Sequence, residues 1–223
     1  MRSIAVFARH PVPGRVKTRL SPALPAPLAC DLYRGMLGDA LEAAHASRAD
    51  QRLIFWAETD GGPRDPEVPA GFEARLQSGR DLGDRLETAF AELLCAAGDQ
   101  AVVTGADCPT LTVERIQQAF DALDSWDLVL GPTGDGGYYL VGLSRRAERL
   151  FRDIDWGTAR VREQTLERAA QEALRVHELA RLDDVDTAED LVRLIAAAAA
   201  EPGRCGAHTR MALEAMGLLP ARG

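Results

Sequence analysis

The chain has 223 residues, 46% of them hydrophobic and 27% charged, with 26 basic against 34 acidic side chains for a formal charge of −8. Those proportions belong to a folded globular protein and exclude a disordered, collagen-like or coiled-coil chain. The acidic balance also excludes a general nucleic-acid binder, which needs a broad basic face. No apolar run reaches the roughly 18–20 residues that span a bilayer, and about six apolar-leaning residues before Arg9 are too few for a signal-peptide core. The expected setting is the cytoplasm, with no membrane partner.

In chain order, short β-rich runs alternate with longer stretches of helical period, the pattern of a mainly parallel sheet flanked by helices. Strands are predicted over 3–8, 52–57, 72–77, 101–105, 127–132, 138–143 and 174–179. Helices are predicted over 26–46, 82–97, 112–123, 158–173, 187–199 and 207–216. Thr112 reads as a helix cap, and Thr187 with Asp190 as a capping box. The five residues between the fifth and sixth strands are too few for a crossover helix, so these two strands should pair antiparallel. The proline-rich stretches over 22–27 and 61–69 read as loops, and Pro202 and Gly203 end the helix before them. The expectation is an α/β fold with one domain over 1–200 and a helical tail over 201–223 packed on it. Cys30, Cys95, Cys108 and Cys205 lie far apart with no CxxC pair, which indicates neither zinc nor a disulfide framework.

The loop after the first strand concentrates positive charge. Residues 1–30 hold Arg2, Arg9, Arg15, Lys17 and Arg19 and no acidic residue, and Lys17 is the only lysine of the chain. Open α/β sheets bind ligands at the carboxyl ends of their strands, where this loop begins. Pro11, Pro13 and Gly14 stiffen and turn it, and forked arginines beside a compact ammonium suit the oxygens of a di- or triphosphate. A solvated loop with arginines paired to surface carboxylates is the plainer alternative. Neither GxGxxG nor GxxxxGK[ST] spacing is present.

Asp107 ends the apolar run Val102–Gly105 and faces the same crevice. A carboxylate beside phosphate is electrostatically unfavourable unless a cation separates them, which points to Mg²⁺ or Mn²⁺ between Asp107 and phosphate oxygens. Helix capping is the alternative for Asp107. Around Asp135, four glycines within seven residues, Gly136 and Gly137 among them, let backbone approach a ligand, and Gly105 does the same after the fourth strand. Asp-Gly is equally a hairpin signal. Asp155 is a second candidate acceptor base beside Asp135. Asp184 or Asp186 returns to the crevice as a second metal ligand, although capping is the stronger reading of Asp186. Arg80 and Arg85, before the second helix, meet phosphate or simply face solvent. The four histidines show no triad or ligand spacing.

The segments FARHPVPGRVKTRL, TGADCPTL, LGPTGDGGYYLVGL, IDWGT and LDDVDTAEDL, in this order within residues 3–195, resemble a bacterial family of nucleotide-diphospho-sugar transferases with a GT-A-like, Rossmann-like fold. That family is a distant cousin of the phospholactate and molybdenum-cofactor nucleotidyltransferases. The resemblance implies that Asp107 and Asp184 bind Mg²⁺ or Mn²⁺ and that Arg15, Lys17 and Arg19 hold phosphates. It further implies a nucleotide-sugar or a nucleoside triphosphate as one partner and a small-molecule acceptor as the other. Transfer of a glycosyl group, transfer of a nucleotidyl group with release of pyrophosphate, and non-catalytic nucleotide binding are the three functional expectations.

Overall fold

A computed structural model describes residues 1–58, 68–201 and 203–220. The expected loop over 61–67, the helix-ending role of Pro202 and the last three residues lie outside these. The chain runs β1 (Arg2–Arg9), α1 (Ala26–Ala46), β2 (Gln51–Ala57), β3 (Glu73–Leu76), α2 (Leu82–Leu93), β4 (Gln100–Thr104), α3 (Val113–Leu123), β5 (Leu128–Pro132), β6 (Tyr138–Leu143), α4 (Val161–Gln171), β7 (Val176–Glu178), α5 (Ala188–Ala200) and α6 (Ala207–Ala215).

The strands form one sheet in the order β3-β2-β1-β4-β6-β5-β7. All neighbours are parallel except β6, which runs antiparallel to both β4 and β5. The mainly parallel sheet and the antiparallel β5–β6 pair are therefore as the sequence predicts. Alternate strand residues point to opposite faces. Ile4, Val6, Ile54, Trp56, Val102 and Val129 pack on α1, α3, α5 and α6, whereas Ala5, Leu53, Phe55, Val103 and Leu130 pack on α2 and α4. The result is a three-layer sandwich with the sheet at its centre.

Local chemistry sets the ends of the helices. Thr112 accepts the Arg115 N–H, and Thr187 and Asp190 close the expected capping box at α5. The second helix stops at Leu93, short of the predicted residue 97. Asp99 Oδ2 accepts the backbone N–H groups of Cys95 and Ala96 and folds that segment into a turn. The fourth begins at Val161, not 158, because Thr158 Oγ1 donates to the Asp155 carbonyl in a turn of its own. The tail helix α6 lies against α1, where the buried Asp39 carboxylate accepts N–H from His208 at 2.8 Å and Thr209 at 3.0 Å.

The strand order fixes where a ligand can sit. From β1 the chain builds outward through β2 and β3, then returns to place β4 on the other side of β1. Connections leave β1 and β4 in opposite directions, opening a crevice at their carboxyl ends, the switch point at which open α/β sheets bind ligands. Because β6 is antiparallel, its first residues, Tyr138 and Tyr139, arrive at that same end. Among the described residues no helix is long and apolar enough to cross a membrane.

Candidate active site: a cationic cleft joined to an acidic recess

The crevice is a cleft of about 580 Å³ lined, among the described residues, by five cations, Arg9, Arg15, Lys17, Arg19 and Arg85, and two carboxylates, Asp107 and Asp186. The same lining includes the apolar side chains of Phe7, Ala57, Leu82 and Leu86 and the amide of Gln77, with Arg85 beside the two leucines on α2. Gln77 Nε2 donates to the carbonyls of Phe55 at 2.9 Å and Ala8 at 3.3 Å, tying together the ends of β1 and β2.

The loop that follows β1 is held by its apolar residues. Val16 and Leu20 are buried on either side of Lys17, and Lys17 itself takes the left-handed conformation at φ 50°, ψ 37° at the head of a 3₁₀ turn over Thr18–Leu20. Such a backbone is uncommon for a residue with a side chain and persists where the surroundings impose it. Here the anchors turn the lysine inward. Its ammonium lies 2.6 Å from Asp107 Oδ1 and 2.6 Å from Asp186 Oδ1, with the side chain only 4% exposed. Burial pulls its pKa down, but the two carboxylates outweigh burial and hold it above the ordinary lysine value.

This arrangement revises two expectations. Lys17 does not stand free for phosphate: two of its three donors serve carboxylates. Asp186 does not cap α5, since Thr187 does so, and instead pairs with Lys17. Arg19 approaches Asp186 at 3.8 Å and stays 72% exposed. Among the described residues the guanidinium groups of Arg9 and Arg15 meet no carboxylate. Tyr33, on α1, accepts the Arg9 N–H through its hydroxyl at 2.8 Å, and burial pushes its pKa up to about 12.

Behind Asp107 the cleft opens into a smaller recess of about 130 Å³, lined by Asp107, Asp135, Asp184, Gly105, Gly137, Cys108, Thr133, Tyr138 and Tyr139. Among the described residues it holds three carboxylates and no cation. Burial, then the charge of Asp135, raises the Asp184 carboxyl to a pKa of about 6. Asp135 is fixed by the β5–β6 turn, with its Oδ1 accepting from Thr133 Oγ1 at 2.5 Å and Gly137 N at 3.0 Å. The same residue thus serves the hairpin and faces the recess. Hard oxygen donors crowded until one resists ionisation fit Mg²⁺ or Mn²⁺, which take carboxylates and keep several waters.

Of the remaining sequence candidates, all but Arg85 fall outside these walls. Asp155 is engaged by Gln164 and Arg160 at the start of α4 and lines neither the cleft nor the recess. Gly14 turns the first loop at φ 77° without lining either. Gly136, at φ 91°, lets the hairpin close on the next segment, where a Cβ would come within 2.1 Å of the Ala159 carbonyl oxygen. Arg80 pairs with Asp84 away from the cleft, whereas Arg85 lines it. Sequence reasoning missed Tyr33 and the role of Gln77, because on a helix stripe and after an edge strand both look like ordinary packing.

One other set of metal-capable groups, Asp39, Glu42 and His208, comes within 4.8 Å of one another. Both Asp39 oxygens there already accept backbone N–H from α6, which accounts for the cluster as a helix cap. The recess carboxylates are, as a set, spread wider than this.

Comparison with known proteins agrees with this fold. No curated protein matches the chain. A solved structure from Desulfovibrio desulfuricans G20, provisionally named a nucleotide-diphospho-sugar transferase, is 30% identical, with 97% of this chain and 96% of that one covered at a TM-score of 0.84. The manganese complex of Rv0371c from Mycobacterium tuberculosis H37Rv is 18% identical over 86% of this chain and 97% of its own, at a TM-score of 0.55. A 4-diphosphocytidyl-2C-methyl-D-erythritol synthase is 12% identical over 86% and 96%, at 0.53. These last two share the fold. Residues 40–158, more than half of the chain and including Asp107 and Asp135, match the family described as "Uncharacterized protein conserved in bacteria (DUF2064)", and the chain belongs to that family.

Proposed function

We propose that the protein is a metal-dependent transferase that binds a nucleotide-activated sugar in the cleft and moves its glycosyl group to a small acceptor. The observation that carries this reading is the division of charge at Asp107: five cations line the cleft on one side, and on the other the recess carries Asp107, Asp135 and Asp184, of which only Asp107 pairs with Lys17. The apolar side chains of the cleft suit a nucleobase, and its cations suit a diphosphate. Asp107 and Asp184 would hold Mg²⁺ or Mn²⁺, which when bound supplies charge stabilisation for the departing diphosphate. The name given to the Desulfovibrio relative supports the same reading.

In this proposal Arg9, Arg15 and Arg19 grip the phosphate oxygens, while Lys17 keeps Asp107 and Asp186 in place and offers its third proton to the same group. The acceptor oxygen bonds to the anomeric carbon, and the bond from that carbon to the diphosphate breaks with its electron pair leaving on the nucleotide. The acceptor proton passes to Asp135, whose Oδ2 is its uncommitted oxygen among the described contacts. No protein nucleophile is required, because the catalysis is electrostatic. The strength of the cationic loop favours a second reading, in which a nucleoside triphosphate is gripped and its α-phosphate attacked with release of pyrophosphate.

A thermal-shift panel of nucleotide-sugars and nucleoside triphosphates, each with Mn²⁺ or chelator, separates the two. Ligand at about 100 times its Kd adds roughly 2.7 kcal/mol, on the order of 5–10 °C for a chain of this size. Metal-dependent shifts with nucleotide-sugars support glycosyl transfer, and shifts with triphosphates accompanied by pyrophosphate release support the second. Binding indifferent to metal would reduce the protein to a nucleotide-binding module, and no shift at all defeats both.

A further inference from the structure

A third recess of about 240 Å³ lies on the far side of Asp135 and Asp184, lined by Arg19, Gly134, Arg181, Asp183, Asp186, Thr187, Asp190 and Arg193 besides those two carboxylates. It shares Asp135 and Asp184 with the acidic recess, and Arg19 and Asp186 with the cleft. Each pair of the three spaces therefore shares at least one carboxylate: Asp107 joins the cleft to the acidic recess, Asp186 joins the cleft to this one, and Asp135 and Asp184 join the two recesses. A transferase needs two substrates to meet at one reacting centre, and this recess is the second way in.

Its chemistry differs from that of the cleft. Three arginines face five aspartates, and two of the arginines are already spent: Arg181 pairs with Asp183 at 2.9 Å, and Arg193 pairs with Asp190. Arg181 is laid across the hairpin tip over Gly134, where a Cβ would sit 2.1 Å from its Nη2. Arg19 is the most loosely held of the three, 3.8 Å from Asp186, and it belongs equally to the cleft. A phosphate entering here would meet excess negative charge and no dedicated cation. A polyhydroxyl compound would find carboxylates to accept its O–H groups and planar guanidinium edges to donate to its oxygens.

We propose that this recess seats the acceptor, and that the acceptor is a small uncharged polyol or sugar without a phosphate group. The inference rests on the transferase reading and narrows it, since a phosphorylated acceptor is what the nucleotidyl-transfer alternative would most naturally use. The reacting hydroxyl is the one that reaches Asp135, which takes its proton as the new bond to the anomeric carbon forms and the nucleoside diphosphate departs.

The test is saturation-transfer NMR on the full chain with Mn²⁺ replaced by diamagnetic Mg²⁺ and a nucleoside diphosphate present. The paired probes are glycerol against glycerol 3-phosphate, and glucose against glucose 6-phosphate. The neutral member of at least one pair should bind about tenfold more tightly than its phosphorylated counterpart, a ratio that modest charge repulsion supplies. Asp183→Asn releases Arg181 and removes one negative charge, so the ratio should collapse toward one while the nucleotide-induced thermal shift is retained; a purely structural role for Asp183 would leave the ratio alone. Equal or tighter binding of the phosphorylated probes, no response to either member of both pairs, or an unchanged ratio in Asp183→Asn overturns the proposal. Failure of the nucleotide shift itself overturns the transferase reading first, and this inference with it, so the two failures are told apart by the thermal-shift control.

Discussion

The two sides of Asp107 contrast sharply. Toward β1, the loop after the first strand delivers cations in excess; toward the β5–β6 turn, carboxylates crowd without a counter-charge. Lys17 sits on the boundary, neutralising one oxygen each of Asp107 and Asp186. In the proposed reading, the difference means that phosphate and metal functions are separated by a single buried ammonium, and that the negative side takes its cation from solution. Burial, then the charge of Asp135, keeps the Asp184 carboxyl on that side above the ordinary carboxylate range.

The contrast can be broken most severely at its hinge. Asp107→Ala removes the carboxylate common to both sides, and turnover should fall about 10²–10³-fold, the range seen when charge stabilisation at a reacting centre is lost. Steady-state nucleotide release checks this, and activity within threefold of the parent, on the same estimate, would exclude Asp107 from the chemistry.

Lys17→Met leaves Asp107 and Asp186 facing each other. Removing one partner of a buried pair costs several kcal/mol, reduced here to about 2 kcal/mol because both carboxylates are partly solvated. The melting temperature should drop by roughly 4–8 °C, measured calorimetrically. Lys17→Arg should not rescue it, since the bulkier planar guanidinium does not fit between two oxygens that an ammonium spans.

Arg15→Ala sharpens the comparison from the other side. Nucleotide affinity should fall about tenfold and lose part of its salt dependence, since charged hydrogen bonds contribute roughly 1.5–3 kcal/mol each before screening. Mn²⁺ affinity measured without nucleotide should not change. A loss of metal binding in this variant would show that the two sides are not separable.

The smallest effect concerns pH. Asp184 titrates near 6 in the folded chain and near 3.8 when unfolded, so between these values the folded state holds the extra proton. Stability from this group is therefore greatest at low pH and declines as pH rises through that window. Asp184→Asn should stabilise the metal-free protein above pH 6 by about 1 kcal/mol after solvent screening, and flatten its pH profile. Divalent ion should recover the difference in the parent chain only. Equal pH profiles for both proteins would contradict the crowding.

Much of the fold was legible in the sequence because the signals were local. Short apolar runs marked β1 and β4, Asp-Gly marked the β5–β6 turn, and Thr187 with Asp190 announced the start of α5. The ends of α2 and α4 were not, because Asp99 and Thr158 act through turns that helical periodicity does not encode. The candidate site divided the same way. Its cationic loop and Asp107 stood out by composition and position, but the sequestration of Lys17 depends on a left-handed turn and on Asp186, 169 residues away, and neither distance nor handedness is written in a run of residue types. Asp155 illustrates the converse: a prominent carboxylate by motif, yet bound to Gln164 and Arg160 once α4 forms.

The ion pairing at Lys17 also has a consequence for synthesis. Its members are drawn from positions 17, 107 and 186, so the pocket is a late product of translation. A nascent polypeptide that has emerged only through β6 carries the lysine and one of its two anchors. In the proposed reading, competence to hold nucleotide is thereby tied to arrival of the segment before α5, and fragments released early lack one of the two carboxylates that seat Lys17.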